Sequence, residues 1–106
     1  MRVVLDACVP RKFGRLLRPH QLTTVHALGF GDLDDRPLLE VLEGECEAFV
    51  TVDRSMPEQQ SIESHSFALI VIRARSNRLE DLAPFAAATL DVLETVHPGE
   101  VRVIGG

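Results

Sequence analysis

The run Phe67-Ala68-Leu69-Ile70-Val71-Ile72 constrains this chain more than any other segment. Its residues are apolar without interruption, yet it is too short for a buried helix. Such a run makes a strand whose two faces are both covered, and sheets covered on both faces are built of parallel strands. Val3-Val4-Leu5 and Ala48-Phe49-Val50-Thr51-Val52 read the same way, and each is closed by an aspartate, Asp6 and Asp53. Residues 21–25 form a weaker strand on Leu22, Thr23, Thr24 and Val25, and 101–104 a last one.

Helical spacing fills the intervals. Pro10 suits a first helical turn, Phe13, Leu16 and Leu17 give an apolar stripe, and Pro19 stops it. Gly29, Gly31, Asp32, Asp34 and Asp35 mark a loop before a helix over about 36–43, carried by Leu38, Leu39 and Leu42 and ended by Gly44. Met56 to Ser61 reads as a short helix or turn. The longest helix is expected over about 79–95, with Leu79, Leu82, Phe85, Ala86, Leu90 and Leu93 on one side. Strands alternating with helices predict a single α/β domain over 1–106, a parallel five-stranded sheet with right-handed crossovers and helices on both faces. A length of 106 residues leaves no room for a second domain.

Composition excludes several function classes. There are five Phe and no Trp or Tyr, so a stacking platform for single-stranded nucleic acid is not available. The net charge of −5 argues against a uniformly basic nucleic-acid binder. The cations are bunched, however: Arg11, Lys12, Arg15 and Arg18 in one segment, Arg73, Arg75 and Arg78 in another. Each bunch is either a solvated face or a rim for phosphate, which the planar guanidinium fork suits. Cys8 and Cys46 lie in no metal-binding pattern, and His20, His26, His65 and His97 show no ligand spacing and read as structural or surface residues. The apolar part of Met1 to Leu5 is too short for a signal peptide and no stretch approaches membrane-spanning length, so a cytoplasmic protein with reduced thiols is expected, with no membrane partner.

The aspartates carry the chemical argument. In an open parallel sheet ligands bind beyond the carboxyl ends of the strands, where the strand order reverses. The common order 2-1-3-4-5 would place strands 1 and 3 side by side and bring Asp6 and Asp53 to one crevice. Neighbouring carboxylates repel unless a proton or cation intervenes. A hard divalent ion, Mg²⁺ or Mn²⁺, takes oxygen ligands and keeps several waters. Asp35 is the candidate third acid, with Glu40 behind it. Asp35 also suits a helix N-cap with Pro37 in the following turn, and an Asp at a strand end is an ordinary turn residue. Thr51 reads as an ordinary strand Thr whose hydroxyl is nevertheless placed to bond a carboxylate. Cys8 reads as a small packed thiol. Arg54 could meet phosphate, and Gln59 and Gln60 fit a solvated helix face. Gly29 and Gly31 match no nucleotide-binding loop.

The opening Val3 to Pro10, the segment Val25 to Gly29, the acidic loop into Leu38-Leu39, Phe49-Val50-Thr51-Val52-Asp53-Arg54 and Ile70 to Arg78 together resemble a short PIN-like family of bacterial proteins, within the superfamily that includes VapC-type toxins and other metal-dependent ribonucleases. The resemblance covers nearly the whole chain. It implies a nuclease-like acidic pocket with Asp6, Asp35 and Asp53 as catalytic and metal-holding acids, and an antitoxin protein as partner. It is incomplete: relatives often carry an acid directly after the first Asp, where this chain has Ala7, and another two residues after the Thr-x-Asp position, where it has Ser55.

Two functions follow from this reading. The first is a Mg²⁺- or Mn²⁺-dependent ribonuclease, the toxin of a toxin–antitoxin pair, with Arg54, Arg73, Arg75 and Arg78 positioning the RNA backbone. The second is a binding or regulatory module without catalysis, either a degenerate PIN-like domain or a receiver-like one, since Asp53-Arg54-Ser55-Met56-Pro57 resembles a receiver's Asp-x-x-Met-Pro. Receivers pair two acids after the first strand and carry a Lys after the fifth. This chain has Asp6-Ala7 and Ile104-Gly105-Gly106 there. A homodimer is compatible with either.

Overall fold

The computed structural model describes residues 1–106. Strands β1 (Arg2–Leu5), β2 (Gln21–Thr24), β3 (Ala48–Thr51), β4 (Ala68–Arg73) and β5 (Val101–Gly105) form one sheet in the order β2-β1-β3-β4-β5, with every neighbouring pair parallel. Parallel neighbours cannot be joined by a tight turn, so the chain crosses over the sheet between strands. The helices on these crossovers are α1 (Arg11–Gly14, continued by a 3₁₀ turn Arg15–Leu17), α2 (Asp35–Val41), α3 (Met56–Gln59), α4 (Leu79–Leu82) and α5 (Ala86–Thr95).

Successive side chains on a strand point to opposite faces, and here each face has its own core. On one side Val3, Leu5, Ala48, Val50, Ile70, Ile72 and Ile104 pack against Phe13 and Leu17 after β1 and against Leu82 and Leu93 of α4 and α5. On the other, Val4, Phe49, Leu69 and Val71 meet Leu38, Leu39 and Leu42 from the α2 segment, Met56 of α3, and Ile62 and Phe67. Phe49 and Phe67 meet edge to face, with centroids 6.5 Å apart. The fold is therefore the three-layer α/β arrangement, and β4 owes its unbroken apolar run to burial on both sides: Ala68 to Ile72 are all buried.

The element boundaries differ from expectation where proline and local geometry intervene. The helix expected over 79–95 is divided: Pro84 lacks the amide hydrogen that an uninterrupted helix needs, and a 3₁₀ turn at Ala83–Phe85 separates α4 from α5. Asp34, extended at φ −69° and ψ 166°, holds the N-cap position of α2, so Asp35 lies in the first turn and is not the cap. Gly44 has φ 80° and turns the chain after α2, as anticipated. Gly99 has φ 85° before β5, and a Cβ there would come within 2.8 Å of the Glu63 carbonyl oxygen. His65 is tied into the structure: its Nδ1 lies 2.9 Å from Glu43 Oε1 and its ring stacks on Phe67. No helix is long and apolar enough to cross a membrane.

The two edges of the sheet are β2 and β5. On β5, Val101 and Val103 share the face of Leu69 and Val71 by register, yet they are 39% and 46% exposed. That contrast is measurable. Ile70→Ala, in the doubly covered strand, should cost about 2–5 kcal/mol of unfolding free energy. Val103→Thr on the open edge should stay within about 0.5 kcal/mol of the parent. Guanidinium titrations followed by circular dichroism check both.

Candidate acidic site at the carboxyl edge of the sheet

The order β2-β1-β3 puts β1 and β3 side by side, and the two chains leave the sheet together. The ladder runs one step beyond the strands, with the Asp6 amide donating to the Val50 carbonyl at 2.9 Å. The Asp6 carboxylate is held at both oxygens. Oδ1 accepts from the Ala7 amide at 2.8 Å, and Oδ2 accepts from the Thr51 hydroxyl at 2.7 Å. The same Thr51 oxygen accepts from the Asp53 amide at 3.1 Å. One buried hydroxyl therefore joins the acid that ends β1 to the acid that follows β3. Thr51 is more than the ordinary strand residue expected from its position.

Asp53 is steadied from its own loop. Its Oδ1 accepts from the Ser55 amide at 2.9 Å and from the Ser55 hydroxyl at 2.7 Å, which leaves these bonds on one oxygen only. Ser55 thus orients the Asp53 carboxylate through both its amide and its hydroxyl. An Asp followed two residues later by Ser is a recognisable local turn pattern, so this role had a signal in the sequence.

Asp35 reaches the same edge from the first turn of α2. Its carboxyl is pushed above the ordinary carboxylate range, first by partial burial and then by the negative charges of Asp53, Asp6 and Asp34, with no hydrogen bond to offset them. The three predicted acids are thus brought within electrostatic reach of one another. Glu40, the other candidate, lies 3.5 Å from Arg36 one helical turn earlier and lines a separate concavity with Gln59 and His65. Cys8 lies close by, its Sγ 3.6 Å from Asp6 Oδ2 and 3.7 Å from Thr51 Oγ1. Burial raises its thiol above the usual range and the Asp6 charge adds to this, so Cys8 is a protonated donor to the carboxylate and not an activated nucleophile.

The arginines form a looser ring. Arg54, Arg73, Arg75 and Arg78 are all exposed at this end of the sheet or in the loops that leave it. The Arg54 guanidinium donates to the Ala74 carbonyl at 3.3 Å, linking the loop after β3 to the loop after β4. Arg78 lies 3.5 Å from Glu80. Arg75 and Arg78 line an open cleft of about 480 Å³ with Ser76, Glu80 and Asp81. Asn77, unremarked in the sequence, donates to the Cys8 carbonyl at 3.0 Å and ties this loop to the one carrying the first acid. Gln59 and Gln60 line a different concavity with Arg36, Glu40 and His65.

The charged groups at the edge are hard oxygens, three carboxylates beside the Thr51 and Ser55 hydroxyls, with the protonated Cys8 thiol next to Asp6. That chemistry fits a Mg²⁺- or Mn²⁺-sized ion held partly through its own waters. No group of three or more His, Cys, Asp or Glu side chains is arranged to hold an ion directly. No protein-family model matches the chain, and neither a curated protein nor a solved structure matches it.

Two outcomes follow. Thr51→Val strips a bond from Asp6 and another from the Asp53 amide in a buried setting, and should cost about 1–3 kcal/mol in denaturant titrations. Asp35 has a raised folded-state pKa, so it binds its proton more tightly folded than unfolded. Its contribution is favourable at low pH and is lost as pH rises through the folded value. Asp35→Asn should therefore melt higher than the parent at pH 7 in EDTA, and the gap should close as the pH is lowered below the ordinary Asp range.

Proposed function

We propose that this chain is a metal-dependent ribonuclease that hydrolyses RNA phosphodiesters at the carboxyl edge of its sheet. The single observation that carries the reading is the meeting of Asp6 and Asp53 at one hydroxyl with Asp35 in electrostatic reach of both. The sequence resemblance to PIN-like proteins points the same way.

Asp6, Asp53 and Asp35 are the residues that would hold Mg²⁺ or Mn²⁺, which when bound supplies charge neutralisation for a phosphoryl group and activation of water. The chain's own part is positional. Thr51 and Ser55 fix the orientation of the first two carboxylates. Asp35, whose carboxyl is raised by partial burial and by the charges of Asp53, Asp6 and Asp34, would be relieved by a cation. Arg73 and Arg75, which pair with no carboxylate, and Arg54 and Arg78 beside them are placed to take backbone phosphates without reading bases. The wider superfamily of the resembled family includes VapC-type toxins, which act with an antitoxin partner. Val101 and Val103 on edge strand β5 are apolar surface that an antitoxin or a second copy of the chain would cover.

The test is cleavage of single-stranded and structured RNAs with Mn²⁺, with Mg²⁺ and with EDTA. Cleavage is expected with metal only. Asp6→Asn and Asp53→Asn should lower the rate by about two orders of magnitude or more while the protein stays folded. Undiminished cleavage by both variants would end the proposal. Failure of Mn²⁺ to bind in a calorimetric titration would favour the alternative, a degenerate domain that only binds a partner.

A further inference from the structure

Each face of the sheet has its own covering layer, and one of the two layers stops short of β5. Val101 and Val103 lie in register with Leu69 and Val71. Leu69 and Val71 are buried in the core completed by α2, α3 and Phe67. One strand further out the cover is missing, and Val103 is the most exposed large apolar side chain of the chain. Pro57, Ser61 and Ile62, where the layer ends, form an open concavity of about 300 Å³ with Val101.

The main chain of β5 is open as well. The Leu69 amide donates to the Glu100 carbonyl at 2.9 Å, which sets the phase of the ladder. In a parallel pair, alternate residues of a strand turn both amide and carbonyl to the neighbour. Glu100, Arg102 and Ile104 do so toward β4, so Val101 and Val103 turn theirs outward. No hydrogen bond outside the ladder engages either valine's main chain. Sheet edges left free in a folded protein are blunted by proline, lysine, a bulge or a covering segment. The other edge, β2, is polar through Gln21, Thr23 and Thr24 and follows Pro19. β5 carries neither proline nor lysine, and its open face is two valines.

We propose that β5 is a dimer interface, at which two copies of this chain pair antiparallel through their edge strands into one continuous sheet. A two-fold axis sets the same edge against itself, and a hydrogen-bonded ladder with that symmetry is antiparallel. In the register that puts Val101 opposite Val103 of the second copy, the residues with free main-chain groups meet and exchange amide–carbonyl bonds. The four valines then form one apolar strip on the open face. On the other face each Arg102 stands across the axis from its equivalent, with Glu100 of its own chain 3.7 Å away. Two cations and two anions gather there and leave no net charge. Copies of net charge −5 repel at long range, yet this edge brings no excess of either sign to the contact. The edge is thus its own complement in hydrogen bonding, apolar surface and charge, which favours a second copy over an unrelated partner. The interface rests on β5 alone and does not depend on whether the acidic edge cleaves RNA.

Sedimentation equilibrium over a range of concentrations reads the mass. The parent should approach twice the single-chain mass as concentration rises. Val103→Lys puts a charge in the strip and leaves the ladder to β4 intact, so it should stay a single chain with an unchanged circular dichroism spectrum. Val103→Pro removes an outward amide hydrogen that β4 does not use and should act alike. Val41→Lys, exposed on α2, should dimerise as the parent does. Asp6→Asn and Asp53→Asn should also dimerise, so assembly and cleavage are read separately. Arg102→Cys tests the register. Opposite residues at such a position approach to about 4.5 Å between Cα atoms, within disulfide range. Mild oxidation should therefore link two copies of Arg102→Cys, and should not link Glu94→Cys, which is exposed on α5. A parent that stays single at millimolar concentration, as it would if a different protein takes the edge, overturns the proposal. So does a Val103→Lys protein that still dimerises, or Arg102→Cys linkage no greater than that of the parent.

Discussion

The parallel pairing of β1 with β3 decides where the polar residues of this chain end up. Two strands with no sequence proximity run side by side in the same direction, so whatever follows each of them emerges at the same edge. Asp6 and Asp53 follow them. The chain leaves β1 toward β2 on one side and leaves β3 toward β4 on the other, so the two connections diverge at this edge. The apolar strands supply the energy for this arrangement by covering both faces, and the aspartates occupy the one boundary of the sheet that the layers do not close.

Gathering acids at such an edge is unfavourable in itself. Part of the cost is met by local donors: the Ala7 amide, the Thr51 hydroxyl and the Cys8 thiol on Asp6, and Ser55 on Asp53. Those two carboxylates are therefore held in place whether or not a cation is present. Asp35 receives no such help, and partial burial, followed by the charges of Asp53, Asp6 and Asp34, raises its pKa.

Much of this was legible in the residues because the signals were local and apolar. The uninterrupted run from Phe67 to Ile72 implied a doubly covered strand, and strand–helix alternation implied the parallel sheet and the order that brings Asp6 and Asp53 together. What escaped the reading depended on partners far along the chain. Thr51 looks like any strand threonine until β1 lies beside it and its hydroxyl has an acid to bond. Asn77 gains its role only when the loop after β4 meets the loop after β1. His20 shows no ligand spacing, and its orphaned nitrogen is visible only once the surrounding chain has buried it. Pro84 is a different case: its effect is local, but the apolar stripe from Leu79 to Leu93 runs straight through it and conceals the break between α4 and α5.

Charge segregation connects these pieces. Acids outnumber bases sixteen to eleven, and most bases outside the two arginine bunches are paired. The unpaired ones are Arg54, Arg73 and Arg75 at the carboxyl end of the sheet, and Arg11, Lys12, Arg15 and Arg18 on the segment that runs from the end of β1 to the start of β2. A protein with an overall negative field repels a polyanion at long range, so any attraction near Asp6 and Asp53 would depend on the local arginines Arg54, Arg73 and Arg75. With no aromatic platform to stack bases on, attraction would come from phosphates alone. Any nucleic-acid contact of such a surface would be to the backbone and not to the bases, and would weaken with salt.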